Sequence, residues 1–265
     1  MENIVMKKKF GQNFLKNANI VNNIVDSVIP EGKSLVIEVG PGAGAMTRVL
    51  ADKFTYVLAY EIDKDLKPVL EKLFSGKSNV SIIFDDFMKR DIINDIKKFD
   101  VDNIYFMANL PYYITTPIIT KVIDLNIDIK NIVVMVQKEV ADRFCAEVGT
   151  KNYGSLTVFL NYYYDIKRVC NVSRNNFYPV PNVDSVVVSF TRKKELFELN
   201  DKNHFFKLVR DSFRYKRKTI RNNLKGYDLE VVDSVLKEYN FSLSSRAEEL
   251  PVIVFVKISN ALTEE

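Results

Sequence analysis

The stretch that decides the fold is Ser34-Leu35-Val36-Ile37-Glu38-Val39-Gly40-Pro41-Gly42-Ala43-Gly44. Its first six residues form a largely apolar run with β-branched members, which is typical of a short buried strand. The glycines that follow let the backbone approach a ligand closely, and Met46 to Asp52 then predicts a helix. Strand, glycine-rich turn and helix in this order indicate a ligand site at one edge of an α/β sheet.

Short strands continue to alternate with helices along most of the chain. Strands are predicted at Tyr56–Tyr60, Val80–Phe84, Asp102–Ala108, Asn131–Gln137, Val158–Val172 and Val183–Thr191. This alternation indicates an α/β fold with a doubly wound, mostly parallel sheet, which the last two strands could close in antiparallel fashion.

From about residue 193 the pattern is helical only. Phe205, Val209 and Phe213 recur every four residues, and Ile220 and Leu224 continue the same apolar face. We therefore predict two domains, an α/β domain at residues 1–192 and a small helical domain at residues 193–265.

The composition excludes several functional classes. The chain has 265 residues, 47% of them hydrophobic and 27% charged, as in an ordinary soluble globular protein. No apolar run reaches the roughly 20 residues that cross a membrane. The lysine-rich N-terminus is not followed by an apolar signal core, so we expect a cytoplasmic protein. Cys145 and Cys170 are far apart and His204 is the only histidine, so we expect no metal site and no disulfide.

Positive charge is concentrated between Arg192 and Lys225, with 12 Lys and Arg residues against 4 Asp and Glu residues. The whole chain carries only +4, so the remainder is mildly acidic. A basic block of this kind indicates a surface that faces a polyanion, although a solvated helix face would give the same count.

The glycine-rich turn has an acidic partner. Glu61 follows the second strand, 21 residues after Gly40, where an acid usually contacts ribose hydroxyls. The spacing Gly40, Gly42, Gly44 differs from the Gly-x-Gly-x-x-Gly of dinucleotide sites, and Asp86 after the third strand offers an acceptor for an adenine amine. We favour S-adenosylmethionine; a dinucleotide, or a purely structural turn with Glu61 in a salt bridge, stays open.

A fourth strand ends in Asn109-Leu110-Pro111-Tyr112. Proline fixes its own φ and restricts the residue before it, so the carbonyls here are held in place beside an amide and an aromatic ring. Such a corner can hold a planar base by its amine, although a strand followed by a proline loop is an equal alternative. Because the carboxyl ends of successive strands meet in one crevice, we expect this corner, Gly40, Glu61 and Asp86 to lie together.

Motifs along almost the full chain resemble the rRNA adenine dimethyltransferases of the RsmA/KsgA type. They are Phe10-Gly11-Gln12-Asn13-Phe14-Leu15, Glu38 to Gly44, Asn109 to Tyr112 with Thr116-Pro117, Gln137 to Val140, Tyr153-Gly154, Phe177 with Pro179, Pro181 and Val183 to Ser185, Arg217 to Leu224, and Arg246 to Leu250. Each motif is weak or moderate alone, but their shared order makes the resemblance specific.

The resemblance implies a Rossmann-like methyltransferase domain with a helical C-terminal RNA-recognition domain. The implied activity is transfer of methyl groups from S-adenosylmethionine, giving S-adenosylhomocysteine, to two adjacent adenosines near the 3′ end of the 16S rRNA of the small ribosomal subunit. The implied cofactor residues are Asn13, Leu15, Gly40, Glu61, Asp86 and Asn109, with the neighbouring Gly42, Ile62 and Phe87. Tyr112 and Phe177 flank the target base beside Leu110 and Pro111, and Arg214, Lys216, Arg217, Lys218 and Arg221 are expected to contact RNA. A monomer is the default expectation.

Three alternatives remain at this stage. The erythromycin-resistance methylases share the cofactor motifs but modify large-subunit rRNA; the Lys218 to Leu224 and Arg246 to Leu250 segments favour the small-subunit type. A mainly non-catalytic assembly factor would suit the basic block equally well, and an NAD-dependent oxidoreductase is disfavoured by the glycine spacing. Val180 and Asn182 replace residues that are often proline and lysine in the family, so one contact to RNA is in question.

Overall fold

The computed structural model describes residues 13–125 and 127–264. Phe10, Gly11 and Gln12 of the first family motif lie outside the described residues. By its contacts the chain divides into two compact units, one formed by residues up to 141 together with 167–192, the other by 142–166 together with 193 onward. The unit that contains the predicted helical domain thus also includes residues 142–166, and the functional boundary at residue 192 remains a prediction.

The secondary structure alternates as the sequence predicts. The strands are β1 (Phe14–Leu15), β2 (Ser34–Val39), β3 (Tyr56–Tyr60), β4 (Val80–Ile83), β5 (Asn103–Asn109), β6 (Ile129–Gln137), β7 (Tyr164–Val172), β8 (Phe177–Tyr178) and β9 (Ser185–Arg192). The helices are α1 (Ala18–Asp26), α2 (Ala45–Lys53), α3 (Lys67–Phe74), α4 (Ile92–Ile96), α5 (Thr115–Asp124), α6 (Lys138–Phe144), α7 (Ser155–Tyr163), α8 (Lys202–Ser212), α9 (Ile220–Asn223), α10 (Leu229–Glu238) and α11 (Val252–Ala261).

Seven of these strands form one sheet in the order β4-β3-β2-β5-β6-β9-β7. The strands from β4 to β6 pair in parallel, and β9 pairs antiparallel with β6, which confirms the predicted antiparallel closure for that strand. Because β2 is followed in space by β3 on one side and by β5 on the other, the direction of winding reverses beside it. That switch point is where open α/β sheets bind ligands, beyond the carboxyl ends of their strands.

The core of the first unit explains why β2 and β5 are so apolar. Every residue of β2 is buried, and Val36 packs with Val57 of β3 and Met107 of β5. Helix α1 adds Val21, Ile24 and Val25 from one face, as its four-residue spacing predicts. Because β2 and β5 are held in this core, the residues at their carboxyl ends have defined positions at the edge of the sheet.

Two local predictions are wrong. The predicted strand from Val158 begins as helix α7, which runs to Tyr163, and only Tyr164–Val172 is a strand. A short apolar run does not distinguish strand from buried helix by periodicity alone, and here Phe159 packs against Phe206 of α8 at 4.6 Å between ring centroids. The apolar face predicted to continue from Phe213 to Leu224 is interrupted, because α8 ends at Ser212.

Within residues 13–125 and 127–264, no helix is both long enough and apolar enough to cross a membrane. In the same part of the chain, no three His, Cys, Asp or Glu side chains form a group that could hold a metal ion.

Candidate active site

One cavity in the first unit brings together the predicted cofactor residues and the Asn109–Tyr112 corner. Its lining includes Asn13, Leu15, Gly40, Gly42, Glu61, Ile62, Asp86, Phe87, Asn109, Leu110, Pro111 and Tyr112. These residues come from the ends of β2, β3, β4 and β5 and from the segment around β1. The expected convergence at the carboxyl edge of the sheet is therefore what the fold produces.

The glycine-rich turn is shaped by backbone conformations that side chains rarely adopt. Gly40, Gly42 and Gly44 have φ values of 76°, 57° and 78°. A Cβ on Gly42 would lie 2.8 Å from the Phe14 ring, and one on Gly44 would lie 2.7 Å from Leu73. A Cβ on Gly40 would meet no atom within 4 Å, so the space beside this residue is open. Without side chains, Gly42 and Gly44 allow Phe14 and Leu73 to pack against the turn. The open space beside Gly40 is available to a ligand in the cavity.

Glu61 closes the turn from the next strand. Its Oε2 accepts the Gly42 N–H at 3.0 Å and its Oε1 accepts the Asp63 N–H at 2.8 Å. The side chain is almost fully buried, and this desolvation raises the pKa of the carboxyl despite the two backbone donors. Each carboxylate oxygen has more than one acceptor site, so Glu61 can hold the glycine turn and still accept a ligand hydroxyl.

Glu38 is a cavity residue that the sequence prediction missed. It is the one acidic side chain in the otherwise apolar part of β2, and it lines the cavity while being buried. Burial raises the pKa of its carboxyl to about 8. An acid within a buried strand was a visible signal, because such a group is costly unless the site uses it or neutralises it.

The loop after β4 presents Asp86 and Phe87. The Oδ1 of Asp86 accepts the Met88 N–H at 2.9 Å, which makes a tight turn and orients the carboxylate. Phe87 is buried and packs edge-on against Tyr60, with 5.2 Å between the ring centroids. Ile62 after β3 is 41% exposed and lines the same cavity, so it adds apolar surface that a flat ligand can cover.

Asn109 is oriented by the segment around β1. Its Nδ2 donates to the backbone carbonyl of Asn13 at 3.3 Å. This bond fixes the orientation of the amide group. Oδ1 is then the side-chain atom that can accept a hydrogen bond from a ligand. The sequence alone gave no periodic signal that Asn13 would reach this site, since the two residues lie 96 positions apart.

The Tyr112 side chain is anchored by Ser185, a contact that the sequence did not predict. Its hydroxyl shares a hydrogen bond with Ser185 Oγ at 2.9 Å, and Ser185 is fully buried at the start of β9. Desolvation raises the pKa of the Tyr112 phenol, so it stays protonated at neutral pH. The bond anchors the far end of the Tyr112 side chain, while the ring lines the cavity.

Phe177 does not line this cavity, although it pairs with Leu15, which does. Its ring is fully buried in the core beside Val172 and Val187, and it pairs across the β1–β8 ribbon with Leu15. The neighbouring Tyr178 is 54% exposed. A contact between Phe177 and a target base thus stays a prediction, and it requires β8 to shift.

The predicted RNA-contacting side chains lie in the second unit. Arg214, Lys216, Arg217, Lys218 and Arg221 are all exposed, the first four in the turns between α8 and α9. Lys216 Nζ donates to the Lys151 carbonyl at 2.7 Å, and the Arg214 guanidinium lies 5.7 Å from the Tyr215 ring centroid. An exposed loop carries four of these charges and the short helix α9 carries the fifth, Arg221.

The sheet topology and the cavity define a class of protein. A glycine turn with open space at Gly40, a buried acid after the next strand and a carboxylate at Asp86 meet at the switch point of the sheet. The sheet order and the cavity are those of a Rossmann-like α/β protein, as the sequence predicts.

Comparisons with known proteins identify the family. The family model described as ribosomal RNA adenine dimethylase matches residues 3–264. The ribosomal RNA small subunit methyltransferase A of Streptococcus thermophilus is 43% identical over 97% of this chain and 92% of its own length. The protein of the same name from Bacillus mycoides is 41% identical over 97% of this chain and 91% of its own length. The chain belongs to the ribosomal RNA adenine dimethylase family and is an rRNA adenine dimethyltransferase.

Solved structures agree with this assignment. A dimethyladenosine transferase from Plasmodium falciparum superposes with a TM-score of 0.74 at 28% identity, covering 92% of this chain and 95% of that one. The 23S rRNA methyltransferase ErmE gives a TM-score of 0.73 at 24% identity, covering 95% of this chain and all of that one. The second likeness shows a shared fold only.

Proposed function

We propose that this enzyme dimethylates the exocyclic amines of two adjacent adenosines near the 3′ end of 16S rRNA, in the small ribosomal subunit, during ribosome biogenesis. The observation that carries the proposal is that the Asn109–Tyr112 corner lines the same cavity as Gly40, Glu61 and Asp86. Target amine and methyl donor can therefore meet within one site. The relatives of similar length from Streptococcus and Bacillus carry the small-subunit name, which supports the choice of substrate.

The cofactor residues divide the work by chemistry. Gly40 and Gly42 admit the amino-acid portion, Glu61 accepts ribose hydroxyls, and Ile62 and Phe87 flank an adenine whose amine donates to Asp86. Asn13 and Leu15 cover the cavity from the segment around β1. When bound, S-adenosylmethionine supplies an electrophilic methyl group on a sulfonium and leaves as S-adenosylhomocysteine. No metal is required for this transfer.

Asn109 and Leu110 activate the target amine by orienting it. The lone pair of an adenine amine is delocalised into the ring, which makes the nitrogen a poor nucleophile. When Asn109 Oδ1 and the Leu110 carbonyl each accept one N–H, the nitrogen becomes more pyramidal and its lone pair points at the methyl carbon. A methyl donor bound here would transfer its methyl group to this lone pair, and the amine proton that is displaced would pass to solvent. This is positioning and electrostatic preorganisation.

Tyr112 holds the base in place. Its ring stacks on one face of the adenine, an interaction worth about 1–3 kcal/mol per base. The hydrogen bond to Ser185 anchors the phenol oxygen, so that the side chain does not swing aside as the base enters. Phe177 is the proposed partner on the other face of the adenine. Pro111 restricts the backbone of the Asn109–Tyr112 corner. The base must leave its stack, or be single-stranded already, to enter the cavity.

The exposed loop between α8 and α9, together with the start of α9, supplies binding energy for RNA. Five cations in eight residues, from Arg214 to Arg221, can neutralise several phosphates without reading sequence. We expect the enzyme to act in the cytoplasm, where its ribosomal substrate is assembled, and to be a monomer, which analytical ultracentrifugation tests directly.

The experiment that tests the substrate compares ribosomal particles. Unmethylated small subunits, large subunits and naked rRNA are each incubated with the enzyme and S-adenosylmethionine labelled in its methyl group. The proposal predicts label in small-subunit rRNA and none in large-subunit rRNA. Label in the large subunit would instead support a resistance-type methylase, and tight binding of small subunits without any label would support an assembly factor.

A further inference from the structure

Lys121 joins the loop that carries Asp86 to the helix that follows the Asn109–Tyr112 corner. It lies on α5, and its ammonium donates to the backbone carbonyls of Phe87, Met88 and Arg90 at 2.8, 2.9 and 2.9 Å. An ammonium has three N–H donors, so these hydrogen bonds use its full capacity. One side chain thus binds three of the four residues that directly follow Asp86.

The surroundings of Lys121 favour these hydrogen bonds. Its ammonium also lies 5.4 Å from the centroid of the buried Phe87 ring. Desolvation lowers the pKa of Lys121, whereas the nearby carboxylates of Asp86 and Asp91 oppose that shift. A partly desolvated cation is strongly held by its acceptors, because charge-assisted hydrogen bonds are stronger than neutral ones.

We propose that Lys121 is a positioning residue for recognition of the cofactor adenine. It acts through the turn in which Asp86 Oδ1 accepts the Met88 N–H at 2.9 Å. By holding the Phe87 and Met88 carbonyls, Lys121 fixes this turn and hence the direction of the Asp86 carboxylate. The inference rests on the proposed contact between Asp86 and the adenine amine.

Calorimetric binding of two product analogues tests the proposal without rRNA. S-adenosylhomocysteine carries the adenine amine, and S-inosylhomocysteine carries a carbonyl oxygen in its place. The wild-type protein should prefer the first, because the second turns an acceptor toward Asp86. Lys121→Met should lose about tenfold of that preference, the effect of one misplaced hydrogen bond to a charged group. Lys72→Met, at an exposed position on α3, is the matched control and should bind as wild type does.

The variants and outcomes separate positioning from general stability. Lys121→Arg should retain part of the preference, and Lys121→Gln should lose it as Lys121→Met does, which covers the case that one variant fails to fold. In an Asp86→Asn background, Lys121→Met should change the preference no further. Full preference in folded Lys121→Met or Lys121→Gln overturns the proposal. If the wild type does not distinguish the two analogues, the Asp86 contact and this proposal both fall, while methylation of small subunits is unaffected.

Discussion

The carboxylate of Glu61 accepts a hydrogen bond from the backbone N–H of Gly42, with 3.0 Å between Oε2 and N. The end of β3 thereby holds the turn that follows β2, and both line the proposed cofactor cavity. The acid thus has a structural role as well as its proposed one toward ribose. The alternative of a purely structural Glu61 predicts a change in stability without a specific change in affinity for S-adenosylhomocysteine.

Glu61→Gln separates these two interpretations. Glutamine keeps one acceptor oxygen, so either the Gly42 or the Asp63 N–H faces an NH₂ group, at a cost of about 1–3 kcal/mol in stability. We also expect S-adenosylhomocysteine to bind at least about tenfold more weakly by calorimetry, since a charged acceptor for ribose is removed. Glu71→Gln on the exposed face of α3 is the control. Lower stability with unchanged affinity contradicts the ribose contact.

Asn109→Ala tests the role of the amide in turnover. We expect kcat to fall by about 10²–10³-fold, as when one preorganised polar group is removed from a transition state. Affinities for S-adenosylhomocysteine and for small subunits should stay within a few-fold of wild type. Asn103→Ala, at the opposite end of β5 where the side chain donates to the Glu31 carbonyl, should turn over normally. Near-normal turnover by Asn109→Ala would contradict a role of this amide in activating the target amine.

The buried Glu38 predicts a pH dependence of stability. Its folded pKa of about 8 lies above the value of about 4.3 in an unfolded chain, so the folded protein binds more protons between these limits. The stability that this group contributes is present in full below the unfolded pKa and is lost as pH rises through the folded one. Urea unfolding should show a steeper loss of stability in wild type than in Glu38→Gln, by up to about 1.4 kcal/mol per pH unit. Parallel curves would contradict an ionisable buried Glu38.

Phe177 and Tyr178 offer a direct comparison of a buried and an exposed aromatic. Phe177→Leu should lower the free energy of unfolding by about 1–3 kcal/mol, because its ring fills the core. It should also lower kcat, after correction for folded protein, if β8 shifts to bring the ring to the base. Tyr178→Leu serves as the exposed control. If kcat is unchanged in Phe177→Leu, Phe177 contributes to stability through core packing and not to catalysis.

The exposed cations between α8 and α9 and at the start of α9 predict a salt dependence of RNA binding. The triple variant Arg217→Gln, Lys218→Gln, Arg221→Gln should bind small subunits more weakly at low salt. The slope of log affinity against log salt concentration should become shallower by about 0.7–0.9 for each phosphate that the variant no longer neutralises. Lys257→Gln, exposed on α11, is the control in the same unit. An unchanged slope would make this loop an ordinary solvated surface.

The sequence predicts the first unit well because its signals are local. Gly40, Glu61 and Asp86 each follow a strand and Asn109 is the last residue of one. The rule that parallel strands end at one edge is enough to bring them together. Ser185 and Lys121 lack such a signal, because their hydrogen bonds join segments 73 and more than 30 positions apart. The prediction for residues 158–163 is wrong because packing against α8, rather than periodicity, decides their conformation.

The most direct test of the central claim is the chemical identity and position of the methyl groups. Small subunits that lack this modification are incubated with the enzyme and labelled S-adenosylmethionine, and their rRNA is digested and mapped by mass spectrometry. We predict two adjacent N6,N6-dimethyladenosines near the 3′ end of the small-subunit rRNA, formed far more slowly with Asn109→Ala. Methyl groups on another base, on another atom of adenine, or only in large-subunit rRNA would contradict the account.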